Sequence, residues 1–127
     1  MKIFETGQKI NFVDDNNVFV GYDLGQDCCE YADWFISYKE AVEPEFNGLK
    51  TLEFDGWCFD TTYFKKLADA PGLDEGGIAI FRLVFEDKEL FLHLFNCHNG
   101  YYAHGFMFGV HSFEPESADT FIKTGLL

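Results

Sequence analysis

The chain has 127 residues, with 22 acidic side chains against 9 Lys plus Arg and a formal charge of −13. That surplus excludes a direct binder of nucleic-acid backbone, which needs Lys and Arg to displace phosphate counterions, and an anionic membrane would repel it. With 47% hydrophobic and 19% aromatic residues it is no disordered acidic tail either, and its length suits one acidic domain over residues 1–127.

MKIFETGQKINF at the N-terminus lacks the apolar core of a signal peptide, and no apolar run approaches the ~20 residues needed to span a bilayer. A cytoplasmic location is therefore expected, in which Cys28, Cys29, Cys58 and Cys97 would be reduced thiols.

In chain order, Lys9 to Val13 and Val18 to Asp23 are short β-branched and aromatic runs around the turn-forming Asp14-Asp15-Asn16-Asn17, which predicts a hairpin. Cys28 to Ala32 could form one helical turn, and Asp33 to Tyr38 reads as a further strand. Leu49 to Phe54 alternates as a strand. Asp60 to Ala68 offers an N-cap Asp before an apolar, basic stretch; it could be a short helix or another strand, and leans to the helix. Breakers make residues 69 to 77 a loop.

Ile78 to Phe85, Leu90 to Cys97 and Tyr101 to Val110 read as three consecutive antiparallel strands, joined by EDKE at 86 to 89 and by a tight turn at Asn99-Gly100. That register sets Phe95 opposite His104 and places Phe91, His93, Phe95, Cys97, Tyr102, His104, Phe106 and Phe108 on one face. Both faces are apolar, so the strands should be covered on both sides. A last strand is expected at Thr120 to Leu127. The expected fold is mainly β (α+β remaining open), an antiparallel sandwich or rolled sheet with one short helix.

Few residues call for chemistry. His93, Cys97 and His104, with Cys28 and Cys29 to complete a shell, form a candidate ligand set for zinc or another transition metal. Their spacing is not that of a zinc finger, and the plainer alternative is hydrogen-bonded histidines in an aromatic core. A nucleophilic cysteine paired with His93 or His98 is disfavoured, because a reactive thiolate wants an electropositive setting. No phosphate-binding loop, GxSxG or HExxH is present, so the sequence leans away from an enzyme and calls for no cofactor.

The charge is lopsided. Residues 1 to 60 hold 13 acidic and 4 basic side chains, whereas residues 61 to 127 hold 9 and 5. Asp14, Asp15, Asp27, Glu30 and Asp33, with the aromatic anchors Trp34 and Tyr101, are the candidate contacts for a partner, since acidic surfaces steer basic partners and Trp and Tyr are common hot spots; the alternative is that the acidic excess only keeps an aromatic-rich protein soluble.

Residues 25 to 37 (GQDCCEYADWFIS) and 92 to 106 (LHLFNCHNGYYAHGF) resemble the marks of a family of small uncharacterised bacterial and phage proteins, a domain of unknown function. The resemblance brings no activity or functional residues. It implies a phage or mobile-element setting and so a host- or defence-directed role, while the acidic excess in residues 1 to 60, the interleaved aromatics and the absence of a catalytic motif point to an acidic protein-binding module. Such a module would be an inhibitor of anti-CRISPR or anti-defence type, blocking a basic nuclease or CRISPR-type effector as a DNA mimic. The alternatives are a small metal-binding protein or enzyme using the His/Cys cluster, and a structural or assembly protein. A homodimer formed through an open β-edge is a further possibility.

Overall fold

The structure is a computed structural model, which describes residues 1–25, 31–41, 53–68, 76–97, 104–111 and 120–127. It is mainly β, built from two antiparallel sheets that share an apolar interior. The chain begins in the first sheet with β1 (Lys2–Thr6), β2 (Lys9–Val13) and β3 (Val18–Asp23). It crosses to the second sheet for β4 (Tyr31–Ser37), β5 (Cys58–Phe59), β6 (Lys65–Ala68), β7 (Gly76–Phe85) and β8 (Lys88–Cys97). It returns to the first with β9 (Gly105–Val110) and β10 (Thr120–Leu126). The strand orders are β1-β2-β3-β9-β10 and β4-β8-β7-β5, with β6 also on β7.

Alternation explains which face each strand buries. Ile10 and Phe12 of β2, Val20 and Tyr22 of β3, and Phe106 and Phe108 of β9 meet Trp34 and Ile36 of β4, Phe81 and Leu83 of β7, and Leu92 and Leu94 of β8. Each such side chain contributes about 1.5–3 kcal/mol by leaving water. Aromatic edges fix their orientation: Phe12 meets Trp34 at 5.0 Å and Phe81 meets Phe108 at 5.1 Å, both T-shaped. The second sheet is apolar on its other face too, where Phe35, Ile78, Ile80, Phe91 and Phe95 form a separate buried cluster with Tyr63 and Leu67. That double burial is why β7 and β8 read as nearly continuous apolar runs.

The β2–β3 hairpin forms as expected, with Asn17 at φ 63° in its connection. Asn is among the few residues that tolerate that conformation. Strands β7, β8 and β10 also fall where the sequence places them. The edge strand β1 escapes the alternation rule because only Ile3 of its side chains packs against the core; the turn glycine Gly7, at φ 63°, is its clearest sequence sign.

Two expectations are corrected. Residues 60 to 68 are not a helix. Asp60 caps a turn, its Oδ1 accepting the Thr62 amide (2.9 Å) and hydroxyl (2.6 Å), and Lys65–Ala68 then pairs with β7 as β6. No helix occurs among the described residues. Likewise β9 does not pair with β8. Strand β8 has β4 on one side and β7 on the other, so no edge remains, and β9 pairs instead with β3 and β10. Phe95 therefore lies opposite Asp33, not His104. The Asn99-Gly100 turn, the Leu49 to Lys50 and Thr51 to Leu52 part of the expected strand, and the 28 to 30 part of the expected helical turn lie outside the described residues; Tyr31 and Ala32 belong to β4.

Candidate functional site: an acidic aromatic cleft

Of the candidate ligand set, His93 and His104 are not brought together. His93 lies on the outer face of the second sheet, fully buried and stacked on Phe35 at 4.2 Å with 6° between the rings. Its Nε2 accepts the Ala41 amide at 2.9 Å, so the proton of the neutral ring sits on Nδ1. Burial is the main cause that pulls its pKa down to about 4, partly opposed by the nearby Phe35 and Phe91 backbone and by Glu40. His104 is buried on the other side of that sheet. Its Nδ1 donates to the Asp23 carbonyl, and its backbone exchanges two 2.8 Å hydrogen bonds with Leu127. The Leu127 carbonyl also accepts from Asn96 Nδ2 (2.9 Å), and Tyr22 donates its hydroxyl to the Phe95 carbonyl (2.9 Å). These groups are a buried polar tie between the two sheets. No grouping of three or more metal-ligating side chains occurs among the described residues, and Cys28, Cys29 and the Cys97 side chain lie outside them.

Cys58 is the thiol that the structure describes. Partial burial raises its pKa first, and the charges of Asp14 and Asp15 raise it further. Both effects favour the thiol over the thiolate, which is the nucleophilic form.

The candidate partner contacts divide. Asp14 is buried at 4% exposure. Its Oδ1 accepts the amides of Asn16 (2.8 Å) and Val18 (2.9 Å), and its Oδ2 accepts the Phe59 amide (2.8 Å), tying the β2–β3 turn to β5 across the sandwich. Trp34, at 7% exposure, is inside the shared core. As placed, both face the interior and neither offers a surface to a partner. Asp15 is exposed, whereas Asp33 is half-buried on β4 with Oδ1 accepting the Trp34 amide at 2.8 Å. Asp27, Glu30 and Tyr101 lie outside the described residues.

A different group of acidic residues does converge. The loop at 53–57 packs on the end of the β7–β8 hairpin: Trp57 meets Phe85 at 5.6 Å, and Phe54 is buried with its carbonyl accepting the Met1 amino group at 2.6 Å. Gly56, at φ 83°, lets the loop approach, since a Cβ there would lie 2.6 Å from the Phe85 ring. Between this loop, the hairpin and Tyr38, just past β4, is a cleft of about 500 Å³ lined by Tyr38, Glu53, Phe54, Trp57, Lys88, Glu89 and Leu90. Phe54 and Leu90 are buried, Trp57 is half-buried, and Tyr38 is 67% exposed. Asp55 adjoins the cleft in the loop, and Glu86 and Asp87 form the two-residue hairpin turn beside it. Glu53 and Glu89 line this aromatic hollow, and exposed Asp55, Glu86 and Asp87 lie in the adjoining loop and hairpin turn, against the amines of Lys88 and, behind Phe54, Met1.

The sequence contained a sign of this pole that connectivity obscured. EDKE is three acids and one base at a hairpin tip, and a tip is solvated by construction. Its spatial neighbours Glu53 and Asp55 come from a loop some thirty residues earlier, a convergence no local pattern reveals.

No protein-family model, curated protein or solved structure matches the chain. No helix among the described residues is long and apolar enough to cross a membrane.

Proposed function

We propose that this protein is an acidic protein-binding module that covers a basic surface of its target through the carboxylate pole around the Tyr38–Trp57 cleft. The observation that carries this reading is the pole itself: an apolar hollow lined by Glu53, Glu89 and a 67%-exposed Tyr38, with exposed Asp55, Glu86 and Asp87 in the adjoining loop and hairpin turn. Carboxylates outside would steer a cationic surface and fix its register, while the aromatic wall would supply the desolvated contact area that charge alone does not. The partner class that fits is a nucleic-acid-processing protein, a nuclease or CRISPR-type effector among them, because its phosphate-binding surface is basic. On this reading the module is an inhibitor that replaces phosphates with carboxylates.

The test is capture of partners from the native host with the intact protein and with the triple variant Glu53→Lys, Asp55→Lys, Asp87→Lys. Binding should weaken steeply with salt, be displaced by added duplex DNA, and be lost in the variant while its thermal unfolding is unchanged. A partner held equally well by the variant, or insensitive to salt, contradicts the reading.

Self-association is a second reading, favoured by the outer face of the first sheet. A shallow cavity of about 320 Å³ there is lined by Asn11, Val13, Phe19, Met107, His111 and Phe121, none of them acidic. Two chains of charge −13 would meet there with least repulsion. Sedimentation velocity across a concentration series should show a dimer that Phe121→Ser weakens; a monomer throughout removes this reading.

A further inference from the structure

We propose that the Tyr38–Trp57 cleft is an arginine-selective subsite, taking one guanidinium group of the basic partner. This rests on the reading of the acidic pole as a partner surface and adds a chemical preference within it. A guanidinium is planar and weakly hydrated, and it satisfies itself by stacking on aromatic faces while its N–H fork meets carboxylates. The cleft offers that combination: Tyr38 and Trp57 as walls, buried Phe54 and Leu90 beneath, and Glu53 and Glu89 lining the same space.

The protein already uses the combination once. Arg82 pairs with Asp60 Oδ2 at 2.7 Å and with Glu89 Oε2 at 3.5 Å, and its guanidinium lies 5.6 Å from the centre of the Tyr63 ring. One aromatic ring and two carboxylates thus hold the internal guanidinium. Glu89 is common to both places, and its contact with Arg82 is long. The cleft offers the same kinds of group, an aromatic ring in Tyr38 and a carboxylate in Glu53.

Lysine fits less well. An ammonium is a compact, strongly hydrated charge that gains little from a flat wall, and the cleft already contains one amine. Lys88 repels any incoming cation, so the incoming group must recover its hydration by stacking and forked hydrogen bonds. The same residue gives the proposal a sign: neutralising Lys88 should tighten the binding of a cation, whereas a cleft built for an acidic ligand would lose binding.

The experiment titrates the intact protein with three short neutral-flanked peptides that differ at one position: arginine, lysine or citrulline. NMR follows the indole resonance of Trp57, with buried Trp34 as the internal reference. The arginine peptide should bind about fivefold more tightly than the lysine peptide, and citrulline should not shift Trp57. Tyr38→Ala and Glu53→Gln should each weaken the arginine peptide about fivefold, and Lys88→Gln should tighten it. Tyr38 is an exposed ring, so unchanged thermal unfolding of Tyr38→Ala separates lost binding from lost fold.

Equal binding of the arginine and lysine peptides overturns arginine selectivity while leaving a general acidic surface intact. Loss of all cationic binding, with host partners still captured by the charge-reversed triple variant, overturns both readings. Binding of an acidic peptide that depends on Lys88 also overturns the proposal.

Discussion

Asp14 shows how far a single carboxylate can depart from its sequence context. In the sequence it is one of two acids in a polar turn, and it reads as solvated. In the fold it accepts three backbone amides, one of them from Phe59, 45 residues away. Removing a buried acceptor leaves its donors unpaired at the full desolvation cost, so Asp14→Ala should lose about 2–4 kcal/mol of stability, measured by urea unfolding. The neighbouring Asp15 is exposed, and Asp15→Ala should be nearly neutral. His93 gives a pH-dependent counterpart. Its folded pKa is held near 4, below its ordinary value of about 6.5, so the unfolded chain takes up the proton first as pH falls. Its contribution to stability is complete above about pH 6.5 and declines towards pH 4, by roughly 2–3 kcal/mol. Urea midpoints between pH 7.5 and 4.5 should fall for the wild type and fall less for His93→Gln. Equal slopes would remove His93 as the source. The role of Asp14 depends on a partner that only the tertiary fold supplies, whereas His93 is the hydrogen-bonded histidine in an aromatic core that the sequence offered as the plainer alternative.

At the scale of elements, local rules succeeded where nothing competed. The β2–β3 and β7–β8 hairpins follow from alternation and short polar connections. The expected pairing of β8 with β9 fails because β4 takes the edge that β9 would need. A hairpin argument counts turn residues and apolar runs but cannot see a competing strand about 60 residues earlier. The supposed helix fails for a related reason: Asp60 is an equally good residue for a tight turn, and Arg82 on β7 pairs with its carboxylate at 2.7 Å. The loop at 53–57 offers a test of what shapes the cleft. Gly56→Ala should cost about 1–3 kcal/mol, from positive φ and from contact with Phe85. Adding Phe85→Leu should relieve the contact and recover part of that loss in thermal unfolding, leaving the backbone strain. Full additivity of the two substitutions would show that Phe85 does not press on this position.

For the whole molecule, the net charge of −13 was visible at once, but not its distribution in space. Counting along the chain placed the excess in residues 1 to 60. Folding brings Glu53 and Asp55 of that half beside Glu86, Asp87 and Glu89 of the other. Meanwhile Asp14 is withdrawn into a hydrogen-bonded tie. The fold class and most strands could thus be read from periodicity, whereas the acidic pole arises from two hydrophobic clusters deciding which loops share an end.

The most direct measurement of the central claim is carbodiimide coupling of the protein to its captured host partner, which joins carboxylates to lysines in contact, followed by mass spectrometry. Partner cross-links are expected at Glu53, Asp55, Glu86, Asp87 or Glu89. Cross-links confined to carboxylates elsewhere, such as Glu5 or Glu40, with none at the pole, would contradict it.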